Sequence, residues 1–344
     1  MTISDRSFIE AFCHELGTDP LWVQGAGGNA SWKESNTLWV KASGTRMADA
    51  LTEDIFVPVD LPLLQRAILE KNFGITPTLK GDYKRRSSIE TMMHGLMPHK
   101  YVLHVHAVDS LSVLVQSDPK PYFDAKLPSH LNWILVDYKM PGADLSSAIA
   151  QAADDLESTN ILLLKNHGVV FAANSREHLK NIVFEFSTAT KRQLGFSISQ
   201  ENTVQQENLP AELEGLCSWV SDYKLQQLAI DPTLYARVQN QWVLYPDHAV
   251  FLGAEAYCMN WTELERVAPK INIDGLNFIF IEGVGVLEVG QVGRAVYEQL
   301  HCYADVICRV PKNAKLQALK TSDIAQLLDW DAEKYRQKLA GELL

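Results

Sequence analysis

The segment Tyr101-Val-Leu-His-Val-His-Ala107 alternates in a way that is typical of a β-strand. Successive side chains of a strand point to opposite faces, so His104 and His106 share one face, opposite Leu103. Imidazoles at positions i and i+2 have Cα atoms about 7 Å apart, and their rings can converge on one ion. The pattern therefore predicts a strand that carries two metal ligands.

A third histidine, His167, follows the apolar run Ile161-Leu-Leu-Leu-Lys165, which is typical of a fully buried strand. The ends of such strands are where α/β proteins place their sites. A single buried histidine is more often a packed core residue, but the His-x-His pair favours a ligand. Three neutral imidazoles suit zinc or a similar divalent cation with an open position for substrate. We predict a metal site formed by His104, His106 and His167.

Glu90 is a candidate acid/base residue in Ser87-Ser88-Ile89-Glu90, fourteen positions before His104. Near a carbonyl polarised by a metal, a partly desolvated glutamate can take a proton from the adjacent carbon. The alternative is that Glu90 only stabilises the first turn of a helix through the helix dipole.

Several segments of the first half have the composition of an anion site. The glycine-rich Gly25-Ala-Gly-Gly-Asn-Ala-Ser31 and the turn Ala42-Ser-Gly-Thr45 would let backbone amides approach a ligand closely. Ser87 and Ser88 add hydroxyl donors at a helix start, and Lys84-Arg-Arg86 adds positive charge. The glycines do not follow the G-x-G-x-x-G pattern of a dinucleotide site.

Composition excludes several classes of protein. The 344 residues are 47% hydrophobic, enough for a sizeable core, and carry 42 acidic against 31 basic side chains. A formal charge of −11 argues against a nucleic-acid partner. No apolar run approaches the roughly 18 residues of a membrane span, so we expect no membrane contact. Five cysteines without a C-x-x-C pair, and no signal-peptide core at the start, predict a cytoplasmic protein.

Alternating strand and helix patterns predict a layered α/β architecture in two halves. We place the first domain at residues 1–196, a polar linker at 197–210, and an accessory α/β domain at 211–344. The second half resembles the first: the segment from Ile161 aligns without a gap with the segment from Phe278. A looser alignment places 97–106 over 245–254.

These alignments predict that the second half is a degenerate repeat without metal ligands. The position of His167 corresponds to Val284, and the positions of His104 and His106 correspond to Leu252 and Ala254. We therefore expect 211–344 to serve structure or assembly rather than chemistry, with strands that extend or face the first sheet.

The order of several short motifs carries a family resemblance. They are Gly27-Gly28-Asn29-Ala-Ser31, Lys41-Ala-Ser43-Gly44, Ser87-Ser88-Ile89-Glu90-Thr91, His94-Gly-Leu-Met-Pro-His99, His104-Val-His106-Ala107 and Lys165-Asn-His167-Gly168. In this order the sequence resembles the class II aldolase/adducin family, in its rhamnulose-1-phosphate-aldolase-like branch without a dehydrogenase domain. The resemblance implies the layered α/β/α fold of that family and a cytoplasmic homo-oligomer, typically a tetramer with active sites at subunit contacts.

The resemblance also implies roles for individual residues. The three histidines would bind a divalent metal, usually Zn²⁺, and Glu90 would be the acid/base residue. The sugar phosphate would be held by Gly28, Asn29, Ser43, Gly44, Ser87 and Ser88. The tyrosine that the small aldolases use as proton donor has no counterpart that a motif identifies here.

The predicted function is a metal-dependent lyase that makes or breaks a carbon–carbon bond of a phosphorylated ketose, through an enediolate stabilised by the metal. An epimerase or a dehydratase on the same metal site is the alternative enzyme. A non-catalytic adducin-like interaction module is the alternative outside enzymes, and a metallohydrolase is a weaker rival.

Overall fold

The computed structural model describes residues 4–152, 155–194, 208–270, 272 and 275–341. Of the linker predicted at 197–210, only the last three residues lie within these ranges. None of the helices in the described ranges combines the length and the apolarity that crossing a bilayer requires.

The first half is built on a mixed seven-stranded sheet, which confirms the predicted fold class. The strand order is β3-β2-β1-β4-β7-β6-β5, and every neighbouring pair is antiparallel except β5 and β6. The strands are β1 (Asn29–Glu34), β2 (Thr37–Lys41), β3 (Phe56–Asp60), β4 (Tyr101–Val105), β5 (Trp133–Val136), β6 (Ile161–Leu164) and β7 (Gly168–Ala173).

Helices cover both faces of this sheet, and strand β4 shows why. Its alternate residues Tyr101, Leu103 and Val105 pack in a core with the first and seventh helices, whereas Val102 packs in a second core with the third and sixth. The helices are α1 (Asp5–Gly17), α2 (Leu61–Leu69), α3 (Thr91–Leu96), α4 (Val108–Leu114), α5 (Lys120–Lys126), α6 (Ala143–Ala152) and α7 (Arg176–Thr190).

The second half has a four-stranded sheet of its own, in the order β8-β11-β10-β9. Its strands therefore do not extend the first sheet, and the other alternative, that they face it, stays a prediction. Its elements are β8 (Cys217–Trp219), α8 (Tyr223–Ile230), α9 (Pro232–Asn240), α10 (Pro246–Leu252), β9 (Tyr257–Met259), α11 (Trp261–Val267), β10 (Phe278–Ile281), β11 (Gly285–Val289), α12 (Arg294–Arg309), α13 (Thr321–Asp329) and α14 (Asp331–Gly341).

The gapless alignment between the halves corresponds to the same local structure in both. Strands β6 and β7 form a hairpin in which Leu164 pairs with Gly168, and β10 and β11 form one in which Ile281 pairs with Gly285. A long helix follows each hairpin. The looser alignment is wrong, because proline at the start of α10 favours a helix where the first half has strand β4.

The two halves share a continuous apolar core through α4 and α12. Val108 and Leu111 of α4 lie in the same buried cluster as Tyr303 and Ile307 of α12.

A polar contact between the halves is made by Asn166, whose backbone is left-handed with a φ of 52°. Its side-chain amide donates to Leu244 O at 2.8 Å and Gln317 O at 2.7 Å. The second half is thus fastened to the residue that precedes His167.

Candidate metal centre

The three predicted histidines lie together in one buried cluster. His104 lies in β4, His106 follows the last residue of that strand, and His167 lies in the turn between β6 and β7. One ring nitrogen of each lies within 4.8 Å of those of the other two, and the Nε2 atoms of His104 and His106 are 3.1 Å apart. Nitrogens this close and this buried form a donor set that can hold a divalent metal ion.

Burial sets the protonation of these rings. Loss of hydration lowers the pKa of His104, and it lowers that of His167 to about 3. Both rings are therefore neutral at pH 7, the form that ligates metals. The Nδ1 atom of His104 lies 3.1 Å from Val169 O, a carbonyl that accepts only from a protonated nitrogen. That hydrogen bond leaves Nε2 free to face the cluster.

Glu90 precedes helix α3 and its carboxylate lies against the histidine cluster. Oε2 is 3.4 Å from His104 Nε2, and Oε1 is 3.3 Å from His167 Nε2. Burial alone would raise the pKa of Glu90, but interactions with His104 and His167 and a hydrogen bond from Asn29 lower it below its ordinary value. The carboxylate is therefore ionised at neutral pH, and Oε1 is a buried acceptor without a hydrogen-bond partner in the described residues.

A hydrogen-bonded chain that the sequence analysis did not anticipate holds Glu90 in place. The Asn29 amide donates to Glu90 Oε2 at 2.8 Å, and Asn29 Oδ1 contacts His94 Nε2. His94 Nδ1 contacts the Ser31 hydroxyl at 2.7 Å. Asn29, predicted to hold phosphate, thus uses its side chain on Glu90 and His94.

A cavity of about 30 Å³ lies beside the cluster and brings most of the predicted phosphate contacts together. Its wall includes five of the six, namely Gly28, Asn29, Ser43, Gly44 and Ser88. Ser87 is not part of the wall; its backbone bridges to Ala42.

The buried amine of Lys41 connects the glycine-rich loop and the serine-containing turn. It donates hydrogen bonds to Ala26 O at 3.1 Å and to Thr45 O at 2.6 Å.

The second half contributes charged residues to the same wall, which sequence reasoning missed. They are Asp247 from α10 and Glu333 and Arg336 from α14. The Arg336 guanidinium bonds both carboxylates, at 2.9 Å to Asp247 Oδ1 and 2.9 and 2.8 Å to the oxygens of Glu333. We expected 211–344 to serve structure or assembly rather than chemistry, and the sequence did not predict that these residues border the site.

Helix α14 covers the cavity from the side of the glycine and serine loops. A Cβ atom at Gly44 would lie 2.3 Å from Leu339, and the Arg86 guanidinium stacks over Tyr335. The basic triplet 84–86 is not part of the cavity wall, whose cations are Lys41 and Arg336. Among the described residues, no tyrosine lines the cavity.

The absence of a side chain at Gly168 allows β4 and β7 to approach each other closely beside the histidine cluster. An alanine Cβ there would lie 2.5 Å from Val105 O and 3.1 Å from both His104 Cε1 and His106 Cδ2. We expect Gly168→Ala to lower the free energy of unfolding by about 1–3 kcal/mol, because overpacking forces the strands apart. The displaced rings should also retain less metal.

Urea denaturation and metal analysis of the purified variant measure both effects. Gly74→Ala is the matched control, because its Cβ would meet no atom within 4 Å. A Gly168→Ala protein as stable as the control, with unchanged metal content, would contradict this interpretation.

Comparison with known proteins agrees with the fold. Residues 9–194, more than half of the chain, match the profile of the class II aldolase and adducin N-terminal domain. A curated relative in Bacillus subtilis, named uncharacterized oxidoreductase YuxG, is 28% identical over 171 residues. That match covers 45% of this chain, but the chain spans only 24% of the relative's length.

Solved structures with similar backbones include an N-terminal class II aldolase domain from Thermoplasma acidophilum, at 21% identity and a TM-score of 0.47, covering 55% of this chain and 93% of that one. Another is the L-fuculose-1-phosphate aldolase of Thermus thermophilus, at 18% identity and a TM-score of 0.36, covering 54% and 91%. The match over residues 9–194 is the finding that assigns the family. The chain belongs to the class II aldolase and adducin family.

Proposed function

We propose that this protein is a metal-dependent lyase that cleaves or forms a carbon–carbon bond of a phosphorylated ketose. The observation that carries the proposal is the position of Glu90, an ionised, buried carboxylate 3.3 to 3.4 Å from the ring nitrogens of His167 and His104. A base at this position can exchange a proton directly with a substrate held at the cluster, with no bulk water between them.

His104, His106 and His167 would hold Zn²⁺, because three imidazoles are a typical catalytic zinc set. A bound divalent cation supplies Lewis acidity, which polarises the ketose carbonyl and offsets negative charge that develops on its oxygen. Glu90 holds and returns the proton that is exchanged at the adjacent carbon. The chain of hydrogen bonds through Asn29 keeps Oε2 occupied and leaves Oε1 as the oxygen that accepts this proton.

The loops around Gly28, Ser43, Gly44 and Ser88 would bind the phosphate through backbone amides and hydroxyls, and Ser87 would join them only after a local shift. Phosphate binding orients the ketose and does not take part in the bond change. A cavity of about 30 Å³ has room for a water molecule and not for a sugar phosphate. Substrate binding therefore requires displacement of α14 from the loops.

We also propose a cytoplasmic homo-oligomer, a tetramer by family resemblance. Free cysteines, including the fully buried Cys302 and Cys308, are consistent with a reducing compartment. A neighbouring subunit would be the source of any residue that a complete active site needs beyond those of one chain.

The proposal is tested by metal analysis followed by incubation of the zinc-loaded protein with ketose 1-phosphates. We expect about one metal ion per chain, and dihydroxyacetone phosphate with an aldehyde as products. Loss of water or inversion of a stereocentre, without cleavage, would replace the lyase with a dehydratase or an epimerase. A protein that retains no metal and converts none of these compounds would favour the adducin-like module.

A further inference from the structure

The carboxylate of Asp247 has one oxygen that its surroundings leave without a hydrogen bond. Oδ1 accepts from Arg336 Nη2 at 2.9 Å. Oδ2 is buried and has no hydrogen-bond partner among the described residues, and His106 Nδ1 lies 3.3 Å from it. Gly27 leaves room for this approach, since a Cβ there would lie 3.1 Å from both atoms.

His106 needs an acceptor at Nδ1 if its Nε2 is to bind a metal. The Nε2 atom faces the cluster, 3.1 Å from His104 Nε2. A neutral imidazole carries one proton, so a ligating Nε2 requires that proton on Nδ1. For His104 the acceptor is the backbone oxygen of Val169, and for His106 the candidate acceptor is Asp247 Oδ2, which lies 3.3 Å from Nδ1.

We propose that Asp247 is a positioning residue of the metal centre, which holds His106 in the Nδ1–H tautomer and orients its ring. The second half, whose role the sequence left as structural, thereby completes the site. This inference rests on the proposed function only in that the three histidines bind a divalent cation.

Because Arg336 occupies one carboxylate oxygen of Asp247, only the other oxygen is available to His106. In the proposed arrangement Asp247 Oδ1 accepts from Arg336 and Oδ2 accepts from His106, whereas an amide has only one oxygen to offer. In Asp247→Asn the permanently charged guanidinium retains that oxygen, so the amide N–H₂ group turns towards His106 Nδ1. A donor there favours the tautomer protonated on Nε2, which cannot ligate.

The first experiment measures zinc affinity by chelator competition on the full-length protein. We expect Asp247→Asn to bind Zn²⁺ about 10- to 100-fold more weakly, the range typical for loss of a group that orients a metal-binding histidine. Asp305→Asn is the control, because Asp305 is a half-buried carboxylate of the second half that pairs with Lys224 and Arg309. An affinity of Asp247→Asn within twofold of the parent protein would overturn the inference.

The second experiment reads the tautomer directly in metal-free protein labelled with ¹⁵N-histidine. Long-range nitrogen–proton NMR spectra distinguish Nδ1–H from Nε2–H rings, and His106→Gln assigns the signal. We expect Nδ1–H in the parent protein and Nε2–H in Asp247→Asn. A parent protein whose His106 carries its proton on Nε2 would overturn the inference even if the variant does not fold.

These experiments distinguish failure of the proposed function from failure of the positioning role of Asp247. If the parent protein binds no metal, the proposed function fails, while the NMR spectrum still decides whether Asp247 sets the tautomer. If the parent binds zinc and cleaves a ketose phosphate but both properties are unchanged in folded Asp247→Asn, only the positioning role is lost.

Discussion

Replacing Glu90 by glutamine is expected to slow proton exchange at the substrate carbon by about 10² to 10⁴-fold, the usual contribution of a positioned general base. The amide has nearly the same shape as the carboxylate. Its oxygen can accept from Asn29 as Oε2 does, which places the amide nitrogen at the position of Oε1, beside His167. That nitrogen has no free lone pair to accept a proton, so the fold survives and the base is lost.

The measurement is exchange of the pro-chiral proton of dihydroxyacetone phosphate with deuterated water, followed by NMR on metal-loaded protein. Glu185→Gln is the control, because Glu185 also contacts a histidine, His130 at 2.6 Å, but at the protein surface. We expect the control to exchange at the parent rate. Exchange at the parent rate in Glu90→Gln would eliminate Glu90 as the base.

Replacing His167 by alanine is expected to lower metal affinity by more than about 100-fold, because it removes one of three protein ligands rather than a group behind a ligand. The imidazole of His167 is not needed to hold the turn that carries it. The Asn166 side chain holds this turn through two hydrogen bonds to the second half. The substitution should therefore leave the fold intact, and exchange of the substrate proton should fall with the metal.

Metal content after dialysis and chelator competition provide the readout, with thermal unfolding as the check on folding. His178→Ala, at an exposed position of α7, is the control and should retain the parent affinity. Stoichiometric metal with unchanged affinity in His167→Ala would show that the third ligand is a different residue.

Local patterns in the sequence predicted the features that depend on neighbouring residues. Alternation along 101–105 places His104 opposite Leu103, and in the structure Leu103 lies in the core on the other face of the sheet. The gapless alignment of the halves likewise corresponds to two equivalent hairpins, in which Gly168 and Gly285 occur at the same offset from an apolar strand. Strand periodicity and turns are set within a few residues, so a single sequence carries them.

The order of motifs, rather than periodicity, pointed to Glu90 as a partner of the histidines. The structure places its carboxylate within 3.4 Å of two of them, through the start of α3. Ser87, in the same motif, lies outside the cavity wall because its backbone pairs with Ala42. Adjacent residues of an extended segment point in different directions, and a motif does not specify which of them faces the ligand.

The sequence by itself determined the His-x-His pair at the end of a strand, the third histidine after a buried strand, and the layered α/β class of the first half. Only the tertiary structure decided that Asp247, Glu333 and Arg336 border the same cavity as His106 and His167. The physical reason is the distance along the chain: Arg336 meets Asp247 across 89 positions, and Asp247 meets His106 only because α4 and α12 share one apolar core. No local periodicity encodes such contacts, since they depend on how two separately formed sheets and their helices pack.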